Sequence, residues 1–325
     1  MKNFKFNAIT ALIVGLNMAA VNAADGPILN NGLDNTATGQ NVIVIGHKSV
    51  VGGENSTSIG TNTTADGINA LALGTDAKAQ VTNPAAANSN KPANLIAIGT
   101  NAKSEAAETV AIGESAKASK HNANAFGSKA KAEGESSLAL GSGSYAKEDS
   151  SVAIGNDSNA TAKSSVALGE STNATAIFAT AVGDSATASG VRSFAAGLNS
   201  NAQSDDSIAI GANTSSTVRG ISIGAEASAY HQGISVGYKS NASGIGSIAT
   251  GVETSASGLS SIASGSNAVA SSTGSVAIGE QSKATAGYGL AIGAKAKAEH
   301  SSSVALGNGS ETKQAKSVKN ATVNN

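Results

Sequence analysis

The chain has 325 residues and a formal net charge of −1, with 40% hydrophobic residues, 3% aromatic residues, 38 Gly, no Trp and no Cys. The lack of Cys excludes disulfides, thiolate metal sites and Cys nucleophiles, and 21 basic residues scattered among 22 acidic ones give no basic run for nucleic acid or an anionic membrane. A thick central core needs bulky side chains; a chain rich in Ala, Val, Ile and Ser points to a thin, repeated core instead.

The N-terminus begins with Lys2 and Lys5. An apolar stretch from Ala8 to Ala20 follows, and Val21 and Ala23 sit at the −3 and −1 positions of a signal-peptidase site. This layout predicts a secretory signal cleaved after Ala23, with residues 24–39 as a lead-in. No later apolar segment is long enough to cross a bilayer as a helix, so no helical membrane span is expected in the mature chain.

From residue 40 a repeat dominates. A glycine closes each Val-Ala-Ile-Gly-like segment, at Gly46, Gly60, Gly74, Gly99, Gly113, Gly127, Gly141, Gly155, Gly169, Gly183, Gly197, Gly211, Gly224, Gly237, Gly251, Gly265, Gly279, Gly293 and Gly307. Nearly all the intervals equal that from Gly141 to Gly155, a 14-residue period. Those ending at Gly224 and Gly237 are one residue shorter, and that from Gly74 to Gly99 is much longer. Such a fixed period marks a solenoid. Large aliphatics at −3 and −1 from the glycine, with a small residue between, read as a short strand of period two. Small residues at +3 and +5, such as Ala116 and Ala118, Ala186 and Ala188, or Ala268 and Ala270, read as a second. Two strands and two turns make one flattened coil, and nineteen coils stacked about 4.8 Å apart would extend roughly 90 Å.

The expected coil core is the aliphatic set Val110, Ile112, Leu138, Leu140, Val152, Ile154, Val166, Leu168, Ile208, Ile210, Val276, Ile278, Val304 and Leu306. The −2 column, including Ala111, Ala139, Ala153, Ala167, Ala209, Ala277 and Ala305, then points outward. An outward Ala column predicts a close, dry contact with other copies of the chain, in cyclic symmetry.

The Ser-Val-Ala-Ile-Gly repeat, over about residues 40–312, resembles the head of trimeric autotransporter adhesins of the YadA type. The resemblance implies an all-β, left-handed parallel β-roll, a homotrimer, and adhesion to host matrix proteins, cell-surface receptors or other bacteria, at the surface of a Gram-negative bacterium. Such adhesins continue from the head into a neck, a stalk and a β-barrel anchor. Residues 313–325 are expected to be the start of a neck at most, since no heptads or amphipathic strands follow in the sequence.

Irregularities remain. The long interval implies an insertion at about 81–92, containing Pro84 and Pro92, which cannot extend a ladder. The two short coils each lose a turn residue, near Val218-Arg219-Gly220 and Tyr230-His231-Gly233. Tyr230, His231 and Tyr238 form a candidate exposed patch there. Ala196, Thr250 and Ser264 replace the aliphatic at −1, which predicts weaker coils. His47, His121, His231 and His300 have no second ligand at a metal-binding spacing. The acidic pairs Glu148-Asp149 and Asp205-Asp206 lack a calcium-repeat pattern, and the Asn-x-Ser/Thr sites at Asn173 and Asn241 follow from composition. No catalytic, cofactor or metal residue is expected. A left-handed β-helix acyltransferase is disfavoured because its coil needs three hexapeptides, which is longer than the period here. An ice-binding array is disfavoured because no outward Thr column recurs.

Overall fold

The protein is described by a computed structural model covering residues 29–31, 34–82 and 93–314. The signal segment with Ala23, the insertion with Pro84 and Pro92, and the tail from residue 315 lie outside the described residues. The described chain is an all-strand parallel β-solenoid of 14-residue coils. It divides into two compact units, residues 1–172 and 173–325.

In each unit a coil contributes one longer and one shorter strand, and each strand pairs in parallel with its counterpart one coil on. In the first unit, Val152–Ile154 pairs with Val166–Leu168, so that Val152 faces Val166, Ala153 faces Ala167 and Ile154 faces Leu168. The shorter strands stack likewise, as Tyr145–Ala146 does on Asn159–Ala160. In the second unit Val276–Ile278 pairs with Leu290–Ile292 and Lys283–Ala284 with Lys297–Ala298. The ladder starts ahead of residue 40: Leu29–Asn31 pairs with the start of Ile43–His47. The insertion leaves register intact, because Leu71–Leu73 pairs directly with Ile96–Ile98 and Lys78–Gln80 with Lys103–Ser104. The short coils also keep phase, with Ile208 opposite Ile221 and Ile221 opposite Ile234.

Turn chemistry explains both corners. Each coil turns through a positive-φ residue at either end, as at Asp157 (φ 50°) and Ser164 (φ 55°). Asn and Asp tolerate this left-handed region best among non-glycine residues, and Asn41, Asn55, Asn69 and Asn94 fill consecutive corners in the first unit. Their side chains form a ladder from coil to coil: Asn41 Nδ2 donates to Asn55 Oδ1 (3.2 Å), and Asn69 Nδ2 to Asn94 Oδ1 (3.0 Å). The repeat glycine serves a different need. Gly155 has φ 133°, and a Cβ there would lie 2.2 Å from the carbonyl oxygen of Gly169 in the next coil. No other residue fits that approach.

The phase of the strands is opposite to the sequence expectation. Ala111, Ala139, Ala153, Ala167, Ala209 and Ala277 are fully buried and Ala305 is 3% exposed. The expected core residues Val110, Ile112, Leu138, Val152, Ile154, Val166, Leu168, Ile208 and Val276 are only partly buried. Leu140, Ile210, Ile278, Val304 and Leu306 are exposed. The reason is width. The two walls of a coil lie so close that the interior accepts only small side chains, at −4, −2, +3 and +5. Ser151, Ala153, Ser158 and Ala160 fill it in one coil, each with no exposed surface. Larger side chains inside would overpack the gap, so the aliphatics of the same strands point out.

Burying serine requires partners for its hydroxyl. Ser165 Oγ donates to Ala162 O (2.6 Å) and Ser158 Oγ to Gly155 O (3.1 Å), so these buried serines bond the carbonyls of the preceding turn. The first coils are an exception in size: Val42, Val44, Val51 and Leu95 are buried. Gly67 makes room there, since a Cβ on it would lie 2.7 Å from Leu95 Cδ1.

Candidate functional site

The inverted phase places the large aliphatics on one outer face of the coils. In the first unit, Ile96, Val110, Leu138, Val152 and Val166 occupy −3, and Ile98, Ile112, Phe126, Leu140, Ile154 and Leu168 occupy −1. In the second unit Ile208, Ile221, Ile234, Ile248 and Ile262 run down −3, while Ile210, Ile223 and Val236 line −1. Parallel pairing brings like beside like, so each unit presents a mainly apolar surface, interrupted by Asn124 in the first unit and Thr180 in the second. Apolar surface exposed in this way makes the face a candidate interaction site. The Ala residues expected to contact other subunits lie inside the coil instead, and the expected core residues form this face.

Ala196, Thr250 and Ser264 interrupt the −1 column. Leu198 and Val252, two positions on from Ala196 and Thr250, are 49% and 46% exposed. Ser266 stands at the same offset from Ser264.

The opposite wall is polar. Its outward position holds Lys78, Lys103, Lys117, Lys131, Tyr145 and Asn159 in the first unit. In the second it holds Asn201, Ser215, Ser228, Asn241, Ser255 and Val269, with Lys283 and Lys297 after them. Asn173 also lies on this wall. Tyr145 Oη donates to Glu133 (2.8 Å); burial and that carboxylate push its pKa up to about 12.

The acidic pairs serve the corners. Asp149 accepts from the backbone N–H of Glu135 (3.0 Å) and from Lys120 Nζ (3.2 Å), and these hold its carboxyl below the usual range. Asp205 accepts from the N–H of Val191 (2.9 Å). Asp206 is bidentate with Arg192 (2.7 and 3.0 Å), whose guanidinium lowers the Asp206 pKa. The Glu148 carbonyl accepts from Ser151 Oγ.

The histidines are dispersed. His47 lies 3.8 Å from Asp34 and His121 3.8 Å from Glu108, while His300 Nδ1 is 3.3 Å from Thr312 Oγ1. His231 meets Tyr230 edge-on, with ring centroids 5.0 Å apart. Tyr238 is exposed and flanked by Lys239, whose Nζ lies 5.0 Å from its ring centroid. Among the described residues no three His, Cys, Asp or Glu side chains are grouped to hold a metal ion, and no helix is long and apolar enough to cross a membrane.

Comparison with protein families finds the YadA head domain repeat in fourteen segments between residues 37 and 310. The matches run through 37–83 and 96–214 and continue at 231–254, 256–282 and 284–310. They skip the insertion and residues 215–230, which fall within the two 13-residue coils. Comparison with curated proteins gives no match.

Proposed function

The chain belongs to the YadA head domain repeat family of trimeric autotransporter adhesins, and we infer that it acts as a homotrimeric adhesin head whose subunits pack through their aliphatic faces. The observation that supports this is the outward aliphatic column on the long strands. A coil filled with Ala and Ser buries little apolar surface by itself. Joining three aliphatic faces around an axis would cover this apolar surface and leave the polar walls facing solvent.

The adhesin is exported through the segment ending at Ala23 and displayed at the outer membrane. It attaches to matrix proteins, cell-surface receptors or other bacteria. Many weak contacts repeated along three chains add by avidity, so binding needs no single dominant residue and no catalytic group.

Light scattering on the purified chain tests the assembly. The expected mass is three times that of the chain after cleavage at Ala23, with a β-rich circular dichroism spectrum. A folded monomer would overturn the packing. Binding to immobilised collagen, laminin and fibronectin, compared between the trimer and a chain lacking residues 83–92, then tests adhesion and any share of the insertion in it.

A further inference from the structure

On the polar wall of the first unit, Lys78, Lys103, Lys117 and Lys131 occupy the outward position of four consecutive short strands. Each pairs directly with the next. Parallel strand spacing sets these rungs about 4.8 Å apart. Like charges directly opposite one another weaken a sheet, so the column works against folding. Its compensation is partial. Lys117 Nζ lies 3.4 Å from Glu105 and 3.9 Å from Glu133, and Lys131 Nζ lies 5.8 Å from the Tyr145 ring centroid. Lys78 and Lys103 are exposed and make no ion pair with any described residue.

The same strand position carries lysine again in the second unit. Lys283 pairs with Lys297, and together with Lys295 they line a groove of about 760 Å³. Glu311 engages Lys297, while Lys283 and Lys295 make no ion pair with described residues. In each unit, then, stacked lysines at this strand position outnumber those that a carboxylate engages.

We propose that the column Lys78, Lys103, Lys117 and Lys131 is a docking track for a linear acidic polysaccharide, laid along the stacking direction with one anionic group per coil. Uronate or sulfate groups on successive sugars recur at a spacing comparable to the rungs. An extended acidic peptide presents same-face side chains about 6.6 Å apart and falls out of step within a few coils. The β-ladder fixes the strand positions in advance, so binding orders only lysine stems. Lysine suits this task because a point charge on a flexible stem adapts to carboxylate or sulfate without a fixed fork geometry. The track faces away from the aliphatic wall and is independent of the subunit number.

The test uses the full chain and heparin oligosaccharides as probe, with affinity measured across a salt series. The variant Lys78→Gln/Lys103→Gln/Lys117→Gln/Lys131→Gln is compared with Lys48→Gln/Lys163→Gln/Lys239→Gln/Arg219→Gln, which removes equal charge elsewhere. Loss of affinity of at least about tenfold is expected for the track variant, with the log–log salt slope falling by about 0.7–0.9 per lysine. The control stays within about threefold, and the four Lys→Arg changes keep binding. If the fourfold variant fails to fold, the exposed pair Lys78→Gln/Lys103→Gln carries the comparison. Equal losses in track and control variants, or no binding by the unaltered chain, would overturn the proposal. Polyglutamate binding as tightly as heparin would overturn the polysaccharide assignment.

Discussion

Within one coil, the long strand turns Val110 and Ile112 outward and the short strand turns Lys117 outward, while Ala111 and Ala118 meet inside. The same division holds in the second unit, with Val276 and Ile278 on one wall and Lys283 on the other around Ala277 and Ala284. The interior is thus nearly the same from both walls, and all the difference between them is exterior. In a coil this thin, side-chain size no longer sorts residues into core and surface. It sorts one surface from another: an aliphatic wall, which we propose meets other subunits, and a polar wall.

The strongest way to break this comparison is to charge each wall in turn. Ile112→Asp with Leu140→Asp and Ile154→Asp is expected to abolish the trimer, since each charge would be buried without a partner in the assembly. Lys103→Asp with Lys131→Asp should leave the mass unchanged. Light scattering on both variants decides it. A trimer surviving the first set would place the contact elsewhere.

A smaller effect separates inside from outside. Ala153→Val puts two methyl groups into a gap already filled by Ser151, Ser158 and Ala160, and should cost about 1–3 kcal/mol by overpacking. The reverse change beside it, Val152→Ala, leaves the coil interior untouched and should weaken association instead. Denaturant unfolding of the two variants, followed over a range of protein concentrations, distinguishes them: the Ala153→Val loss is independent of concentration and the Val152→Ala loss is not.

Strand positions, coil length and corner chemistry were all legible in the sequence, because each is set by local spacing around the repeat glycine. Which way the strand faced was not. The rule that large apolar residues go inside assumes an interior wide enough to hold them, and here Val152 and Ile154 would have met Ser158 and Ala160 across a gap with no room. A signal was present in the residues themselves. Small residues hold −4 as well as −2, +3 and +5, and Ser151 and Ala153 are the two that share a face with Ser158 and Ala160. The stacked lysines were visible as scattered charges; only coil-to-coil register, carried across the insertion, brings Lys78 beside Lys103.

The corners, shared by both walls, are expected to respond more weakly and without regard to assembly. Asn55 has φ 54°, accepts from Asn41 and donates to Asn69 (3.5 Å). Asn55→Ala should cost about 1–2 kcal/mol, mostly from holding Ala in the left-handed region, and Asn55→Gly should recover most of it. Circular dichroism melts of the two variants measure the difference.

The smallest expected effect concerns acid. Asp149 joins two coils through the Glu135 N–H and Lys120, and its folded pKa lies below the unfolded value near 3.8. A depressed carboxylate contributes stability that is present above the unfolded pKa and is lost as pH falls through the folded one. Asp149→Asn should therefore lower the melting temperature slightly at pH 7, and the loss should shrink as pH falls below the unfolded value toward and through the folded one. Because the group is exposed, solvent screening keeps the change small. A loss that does not shrink as pH falls would mean that the amide fails as an acceptor for the Glu135 N–H, making geometry rather than charge the basis of the corner.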